Sequence, residues 1–227
     1  MRNISLTRKQ MNSIISYAID DLKMSKEMIY ENAAAQTIKH INMANKSTFS
    51  VVCGKGENGV IGLAMARQFL SLDKKVKVFI LSDRSDLNQD HHKQLDILEK
   101  TEAKIAYVTT IGELEDFPSS VKESDLIVDA IAGYEHAGNF MGQEEYAIDN
   151  MNKARRPILS LDLPSGIDCD NGSASPVYIN PHLVVTFMHM KKGLKDNSRL
   201  LGVNIFVESI GIPIEASYKI VPFSPQY

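Results

Sequence analysis

The hydrophobic pattern of the chain alternates between short continuous apolar runs and longer stretches with apolar residues spaced three or four apart. The short runs are typical of buried strands, and the longer spacing is typical of amphipathic helices. The runs predict strands at residues 49–53, 76–81, 103–108, 125–130, 158–162, 182–187 and 203–207. The amphipathic stretches predict helices at residues 6–20, 25–45, 61–70, 86–100 and 143–154, and a short helix at 111–117 that Pro118 ends.

Strands that alternate with helices favour a parallel sheet, because each helix returns the chain to the same edge. The pattern therefore predicts an α/β fold with a mainly parallel sheet. The two helices before the first strand are expected to pack on it as an N-terminal addition. No repeat or internal linker interrupts the sequence, so we expect one domain over residues 1–227.

The most informative stretch is the glycine-rich turn after the first predicted strand. Residues 54–59 read GKGENG and fit G-x-G-x-x-G, a pattern that lets a phosphate approach the backbone at a helix N-terminus. Asp83 ends the next strand, where a dinucleotide fold holds a ribose hydroxyl. Three glycines in six residues are a weak signal alone. Two interpretations stay open: a nucleotide site, or a tight turn without a ligand.

Polar residues follow two later strands at their carboxyl ends. Asp129 with Gly133 follows one strand, and Asp162 with Ser165 and Gly166 follows another. A single aspartate in such a loop is usually a cap or a turn former. Ligands of parallel sheets bind beyond this edge, so several acids there predict a site.

The sequence also contains a lysine and a pair of adjacent histidines whose roles have more than one interpretation. Lys191 follows the strand at 182–187 and is either a charge partner of the site or a solvated lysine. His91 and His92 are adjacent on a predicted helix. Neighbouring helical residues point in different directions, so we expect a solvated face there and no metal site.

Composition narrows the class of protein. Hydrophobic residues make up 44% of the chain, and the net charge of -3 comes with interspersed signs and no basic stripe for nucleic acid. Cys53 and Cys169 are expected to be reduced thiols. No run approaches the ~20 apolar residues that cross a bilayer, and residues 1–13 lack a signal core. We expect a cytoplasmic protein with neither a nucleic-acid nor a membrane partner.

Three segments together resemble motifs of the NAD(P)H-hydrate epimerase family, the YjeF N-terminal domain. CGKGENGVIGL at 53–63 resembles C-G-x-G-N-N-G-G-D-G-L, and DAIAGYE at 129–135 resembles D-A-[LI]-F-G-T-G. SLDLPSGID at 160–168 is similar to S-[VL]-D-[IV]-P-S-G-[LI]-[DN]. TFMHMKKGL at 186–194 and MIYENAA at 28–34 resemble two further family segments. The matches run in the family's order along almost the whole chain.

The resemblance implies a Rossmann-like three-layer α/β/α sandwich that forms a homodimer. It implies an isomerase that interconverts the R and S epimers of hydrated NADH or NADPH, NAD(P)HX, which is the substrate rather than a cofactor. A potassium ion is the implied cofactor. A dehydratase that consumes the S epimer is the implied pathway partner, and we expect it on a separate chain because the epimerase-like segment takes up all 227 residues.

The resemblance also assigns residues by matched position. The implied potassium ligands are the side chains of Asn58, Asp129 and Ser165. The implied catalytic residue is Asp162, whose carboxylate can exchange a proton with the leaving hydroxyl and stabilise the cationic ring. The implied substrate contacts are Glu57, Asn58, Gly59, Val60, Ile61, Gly133, Tyr134, Glu135, His136, Ala137, Gly138, Asn139 and Asp162.

Two motifs depart from the family pattern. The family's G-G-D-G is GVIG at 59–62, and its G-T-G is GYE at 133–135. Glu57 replaces an asparagine, and its charge opposes a phosphate. One alternative is therefore a catalytically inactive module of the same fold that binds a nucleotide or a partner. An NAD-dependent dehydrogenase built on the glycine turn and Asp83 is a weaker alternative, because it gives the segment at 160–168 no role.

Overall fold

The computed structural model describes residues 4–221. The strands are β1 (Ser5–Leu6), β2 (Thr48–Cys53), β3 (Lys75–Ile80), β4 (Lys104–Tyr107), β5 (Leu126–Ala130), β6 (Ile158–Leu161), β7 (Leu183–Phe187), β8 (Met190–Lys191) and β9 (Asn204–Glu208). The α-helices are α1 (Arg8–Asp20), α2 (Lys26–Ile38), α3 (Glu57–Ser71), α4 (Gln89–Leu98), α5 (Phe117–Glu123), α6 (Gln143–Lys153) and α7 (Ile214–Ile220).

Seven of the strands form one parallel sheet in the order β4-β3-β2-β5-β6-β7-β9. The predicted α/β fold with a mainly parallel sheet is confirmed. The chain runs outward from β2 to β4 and then returns to the other side of β2 with β5. The strand order thus reverses between β2 and β5, and a reversal of this kind opens a crevice at the carboxyl ends of the two strands.

Helices cover both faces of this sheet. In β2, Val51 and Cys53 belong to a hydrophobic cluster with residues of α2, α3 and α4, whereas Val52 belongs to a cluster with residues of α5 and α6. Alternate residues of a strand point to opposite faces, so β2 is buried on both sides, as a continuous apolar run predicts. The result is the three-layer α/β/α arrangement of a Rossmann-like fold.

The two N-terminal helices exist as predicted, and their first turns are set by capping. Thr7 caps α1 in a capping box, and Ser25 caps α2 through its side chain. Buried residues of both helices belong to the first cluster. α2 ends at Ile38 rather than at residue 45, and Asn42 then accepts a hydrogen bond from the amide of Ala44 as the chain turns toward β2.

Pro118 has the opposite role from the predicted one. A short 3-10 helix ends at Leu114, and α5 begins at Phe117, so Pro118 lies in the first turn of a helix. A proline there loses no intrahelical hydrogen bond because the first N–H groups have no partner. The prediction that Pro118 ends a helix was wrong. β1, β8 and α7 were not predicted, since such short elements carry too few residues to show a period.

Two expectations from composition concern the thiols and membrane spans. Cys53 and Cys169 are both buried free thiols, as predicted. Burial raises the pKa of the Cys169 thiol to about 12, so it stays protonated at neutral pH. Within residues 4–221, no helix has the length and apolar character needed to cross a bilayer.

Candidate functional site

A cleft lies at the carboxyl ends of β2 and β5, where the strand order reverses. The turn at 54–56 follows β2 and the loop at 131–142 follows β5, and the amide of Gly54 donates to the carbonyl of Ala130 at 3.0 Å. The cleft has a volume of about 320 Å³. Its lining residues are Lys55, Gly56, Glu57, Asn58, Ile131, Ala132, Gly133, Tyr134, Glu135, His136, Phe140 and Glu144.

The glycines of the turn have different roles. A Cβ atom at Gly54 would lie 2.1 Å from the carbonyl oxygen of Ile131, and one at Gly59 would lie 1.9 Å from the carbonyl oxygen of Gly54. A Cβ atom at Gly56 would meet nothing within 4 Å. Gly54 and Gly59 therefore allow the turn, α3 and the loop after β5 to pack closely, whereas Gly56 leaves an open face beside the cleft.

Gly54→Ala is expected to lower the free energy of unfolding by about 3 kcal/mol, because β2 and the loop after β5 must separate to admit the methyl group. Gly56→Ala is the matched control in the same turn. It should change the free energy of unfolding by less than about 0.5 kcal/mol. Urea unfolding measures both values, and equal losses in the two variants would show that close packing at Gly54 is not the cause.

The predicted substrate residues of the first motif lie in two environments. α3 begins at Glu57, so residues 57–61 form its first turns rather than an open loop. Glu57 and Asn58 line the cleft. Asn58 is buried although it lines the cleft, whereas Gly59, Val60 and Ile61 are buried and do not line it. The side chains of Val60 and Ile61 belong to the hydrophobic core, so these replacements do not narrow the cleft. Their contact with a substrate stays a prediction.

The charge of Glu57 is partly balanced by residues of α2. Lys26 Nζ lies 3.0 Å from Glu57 Oε1, and the hydroxyl of Tyr30 donates to the same oxygen at 3.1 Å. The hydrogen bond to Glu57 raises the pKa of Lys26, and burial raises the pKa of Tyr30. Both groups stay protonated donors at neutral pH, so Glu57 faces the cleft as part of an ion pair.

The loop at 131–142 is called the second loop below. Its predicted substrate residues are divided between two adjacent surfaces. Those that line the cleft are Gly133, Tyr134, Glu135 and His136. Those that line a neighbouring polar depression of about 140 Å³, next to Asp168 and residues 173–175, are Ala137, Gly138 and Asn139. His136 borders both surfaces, and its ring stacks on Phe140 with centroids 4.3 Å apart.

Two more glutamates border the cleft with raised pKa values. Partial burial raises the pKa of Glu135, and the negative charge of Glu57 adds to the rise. Burial also raises the pKa of Glu144, and the charges of His136 and Lys55 partly lower it again. A raised pKa favours the neutral acid, which weakens the repulsion of an anionic ligand.

Asp162 follows β6 in a backbone conformation that is rare for residues other than glycine. Its φ is +63°, in the left-handed region that aspartate and asparagine tolerate best after glycine. The residue is 1% exposed. Oδ1 accepts hydrogen bonds from Thr186 Oγ1 at 3.1 Å and from the amide of Phe187 at 3.2 Å, and Oδ2 accepts one from the amide of Tyr134 at 3.2 Å. The carboxylate therefore lies one peptide group away from the cleft.

Lys191 is fully buried beside Asp162. Its Nζ lies 2.5 Å from Asp162 Oδ1 and donates to the carbonyl of Phe187 at 2.7 Å and to Thr186 Oγ1 at 3.0 Å. A buried ammonium group is tolerated when a counter-charge and hydrogen-bond acceptors satisfy it, and both conditions are met here. Lys191 is thus a charge partner of Asp162, and the alternative of a solvated lysine was wrong.

Asp129 is the penultimate residue of β5, and its buried carboxylate connects other predicted site residues. Ser165 donates to it through Oγ at 2.5 Å and through its amide at 2.9 Å, and Ser160 Oγ donates at 2.7 Å. Burial raises the pKa of Asp129, and these hydrogen bonds oppose the rise. The amide of Ala132 donates to Ser165 Oγ at 3.0 Å, and Asn58 Nδ2 donates to the carbonyl of Ala132 at 2.8 Å.

The oxygen atoms of this network are suitable ligands for a cation that prefers oxygen. Its side chains carry carboxylate, hydroxyl and amide oxygens. The carbonyl oxygens of Ala132 and Leu161 each lie 2.8 Å from Asn58 Nδ2. An asparagine amide presents either its nitrogen or its oxygen after a half-turn, and hard cations bind such oxygens. Over the described residues, 4–221, no group of three His, Cys, Asp or Glu side chains could hold a metal ion.

Asp83 and His91 have structural roles. Asp83 caps a short 3-10 helix, and its carboxylate accepts hydrogen bonds from Ser85 rather than lining the cleft. His91 is fully buried, with Nε2 3.4 Å from the carbonyl oxygen of Gly54. The expectation that the His91 side chain is solvated was wrong, because α4 packs on the glycine turn.

Several residues of the site carry no clear sequence signal. Glu144 reaches the cleft from α6, and the guanidinium of Arg8 binds carbonyl groups of the second loop. The spacing of Thr186 and Lys191 in the segment at 186–194 is the signal that could have predicted a buried lysine.

Comparisons with known proteins identify the family of the chain and support its fold. The chain matches the family model described as YjeF-related protein N-terminus over residues 26–193. It is 34% identical over 208 residues to the NAD(P)H-hydrate epimerase of Anaerococcus prevotii, covering 92% of this chain and 95% of that protein. It is 32% identical over 216 residues to the bifunctional NAD(P)H-hydrate repair enzyme Nnr of Moorella thermoacetica, of which it spans 40%.

A solved structure shares the fold. The crystal structure of yeast ynu0, YNL200c, superposes with a TM-score of 0.83 at 21% identity. The superposition covers 99% of this chain and 97% of the yeast chain. This similarity supports the three-layer architecture alone, whereas the family match and the relatives above concern the sequence. The chain belongs to the family of the YjeF-related protein N-terminus.

Proposed function

We propose that the protein is an NAD(P)H-hydrate epimerase, an isomerase that interconverts the R and S epimers of hydrated NADH or NADPH. The observation that carries the proposal is the carboxylate of Asp162, which Lys191 and the amide of Tyr134 hold beside the cleft. Relatives at 34% and 32% identity are named NAD(P)H-hydrate epimerase and NAD(P)H-hydrate repair enzyme, and each match covers 92% of this chain. These names support an enzyme rather than an inactive module.

Epimerisation moves a hydroxyl group between the two faces of the hydrated ring carbon. The hydroxyl gains a proton and leaves as water, the carbon–oxygen bond breaks, and the ring keeps a positive charge. Water then adds to the opposite face and loses a proton. Asp162 Oδ1 already accepts three hydrogen bonds, whereas Oδ2 accepts one from Tyr134. We therefore assign proton exchange and stabilisation of the cation to the Oδ2 side of the carboxylate.

The dinucleotide is assigned to the cleft. The N-terminus of α3 opens at Gly56, where unpaired N–H groups and the helix dipole favour a phosphate. Glu57, Asn58 and residues 133–136 supply the cleft wall. Contact with residues 59–61 is assigned to their backbone, and contact with residues 137–139 to the neighbouring depression.

Potassium is assigned to the oxygen-rich network of Asn58, Asp129 and Ser165. When bound, the ion would supply positive charge beside the cleft and so offset the charge of a phosphate. The assignment is supported by the hydrogen bond between Ser165 and Asp129 and by the backbone of Ala132, which connects Ser165 to Asn58.

Potassium chloride at ten times its Kd is expected to raise the free energy of unfolding at pH 8 by about 1.4 kcal/mol. The gain should shrink at pH 5, because burial raises the pKa of Asp129 above 3.8 and only the ionised carboxylate attracts the ion. Without potassium, the raised pKa makes stability fall as the pH rises from 3.8 through the pKa of the folded state. Urea unfolding in potassium or choline chloride at both pH values measures the difference.

Variants of two aspartates, one near each end of β5, make the potassium test specific. Asp129→Asn should lose the response. Asp125→Asn should keep it, because Asp125 lies at the opposite end of β5, where it binds Ser47 and Thr48. The same potassium response in both variants would rule out the assignment to Asp129.

The assembly and location of the protein are proposed from the resemblance. We propose a homodimer in the cytoplasm that works with a dehydratase. The bifunctional repair enzyme of Moorella thermoacetica supports the pairing of two activities.

The direct functional test starts from the R epimer and couples its epimerisation to a dehydratase specific for the S epimer. Catalysed conversion above the enzyme-free rate is expected with potassium present. A folded protein that gives only the enzyme-free rate would reject the epimerase. Thermal stabilisation by NAD(P)H or ADP-ribose would then identify a binding module of the same fold.

A further inference from the structure

Arg8 links the N-terminal segment to the loop that separates Asp162 from the cleft. We propose that Arg8 is a positioning residue that holds residues 133–139 against Asp162, an inference that rests on the proposed epimerase function. The matched family segment begins at residue 26, so Arg8 lies outside it.

The guanidinium of Arg8 makes three hydrogen bonds across the site. Nε donates to the carbonyl of Tyr134 at 2.8 Å, and Nη2 donates to the carbonyl of His136 at 2.9 Å and to Asp168 Oδ2 at 2.7 Å. The side chain of Arg8 is 23% exposed. A guanidinium is planar, always charged and rigid in its donor directions. It therefore fixes the orientation of the second loop relative to the segment that carries Asp168.

Tyr134 transmits this contact to the proposed catalytic carboxylate. Its carbonyl accepts the hydrogen bond from Arg8, and its amide donates to Asp162 Oδ2 at 3.2 Å. The residue is thus held on both sides. A movement of the Tyr134 carbonyl away from Arg8 would change the hydrogen bond at the oxygen to which we assign proton exchange.

The same N-terminal segment supports the other side of Asp162. β1 pairs with β8 so that Leu6 lies opposite Lys191, and the amide of Lys192 donates to the carbonyl of Leu6 at 2.9 Å. The backbone of Arg8 is itself fixed, because its amide donates to Asp170 Oδ1 at 2.7 Å. Residues 5–8 therefore contact both the strand of Lys191 and the loop of Tyr134.

Part of the second loop is exposed to solvent, so contacts with Arg8 help to keep this part ordered. Residues 137–139 are exposed, and Gly138 has a φ of +108°. Ordering a mobile loop on binding lowers affinity, so a loop held in place before substrate arrives binds more tightly. Loss of Arg8 should therefore weaken substrate binding more than it slows the chemical step.

The kinetic test compares Arg8→Gln and Arg8→Lys with Lys9→Gln. Both Arg8 variants should raise KM about tenfold and change kcat by less than about threefold, because an ammonium group cannot reproduce the guanidinium fork. Lys9→Gln removes an exposed charge from the next residue and should leave KM within about twofold.

A second measurement does not depend on catalysis. Hydrogen exchange of the amides of residues 134–139 without substrate should be about tenfold faster in Arg8→Gln than in wild type or Lys9→Gln. Failure of the wild type to epimerise would reject the proposed function, and this exchange would still decide whether Arg8 holds the loop. A wild-type KM or wild-type exchange in Arg8→Gln would overturn the inference.

Discussion

Asp162→Asn is expected to lower the epimerisation rate about 10²–10⁴-fold while leaving the chain folded. The carboxamide cannot carry the proton that the leaving and returning hydroxyl requires. Asparagine tolerates the φ of +63° at this position, whereas alanine would add backbone strain. The initial rate at saturating R epimer, coupled to a dehydratase specific for the S epimer, measures the loss.

Asp196→Asn is the matched control for this substitution. Asp196 has a φ of +55° and is exposed. Its replacement therefore removes a carboxylate from the same backbone conformation without touching the site. The control should keep the wild-type rate within about twofold. A folded Asp162→Asn variant with the rate of Asp196→Asn would remove Asp162 from the reaction.

Lys191→Met is expected to lower the free energy of unfolding by about 3–5 kcal/mol, since it leaves the buried Asp162 carboxylate without its counter-charge. For a chain of this size, the melting temperature should fall by roughly 10 °C. Lys192→Met is the matched control, because Lys192 is the exposed neighbour. It should change the free energy of unfolding by less than about 0.5 kcal/mol. Urea and thermal unfolding measure both variants.

The double variant Asp162→Asn with Lys191→Met separates charge balance from catalysis. It removes both buried charges, so most of the lost stability should return, as when a buried ion pair is replaced by neutral groups. Its epimerisation rate should stay as low as that of Asp162→Asn. A double variant no more stable than Lys191→Met would show that the unpaired carboxylate is not the cause of the instability.

The strands of the sheet could be predicted from sequence because parallel strands are buried on both faces. The run at 49–53 is apolar except for Ser50, residues 126–128 are continuously apolar, and both runs form central strands. Helix ends were harder to predict. The end of α2 depends on the turn at Asn42. The start of α5 was missed because a proline is compatible both with the first turn of a helix and with the end of one.

The candidate site could be predicted in part, because strand-end residues share one edge of the sheet. The family resemblance assigns Asn58, Asp129 and Ser165 from three separate segments, and hydrogen bonds through the backbone of Ala132 connect them in one network. The positive φ of Asp162 and the burial of Lys191 depend on tertiary packing that no local pattern records.

Long-range contacts account for the residues that sequence reasoning missed. Arg8 contacts Tyr134 across 126 positions of the chain, and nothing in its local sequence distinguishes it from the exposed Lys9. The core positions of Val60 and Ile61 likewise follow from the start of α3 at Glu57, which places them on its inner face.

The most direct measurement follows purified R and S epimers separately by chromatography, with and without the protein. Catalysed epimerisation requires both samples to reach the same R-to-S ratio faster than without protein, with no net loss of hydrated cofactor. Asp196→Asn should behave as wild type, and Asp162→Asn should follow the enzyme-free time course. Two samples that both keep the enzyme-free rate with folded wild-type protein and potassium would contradict the proposed function.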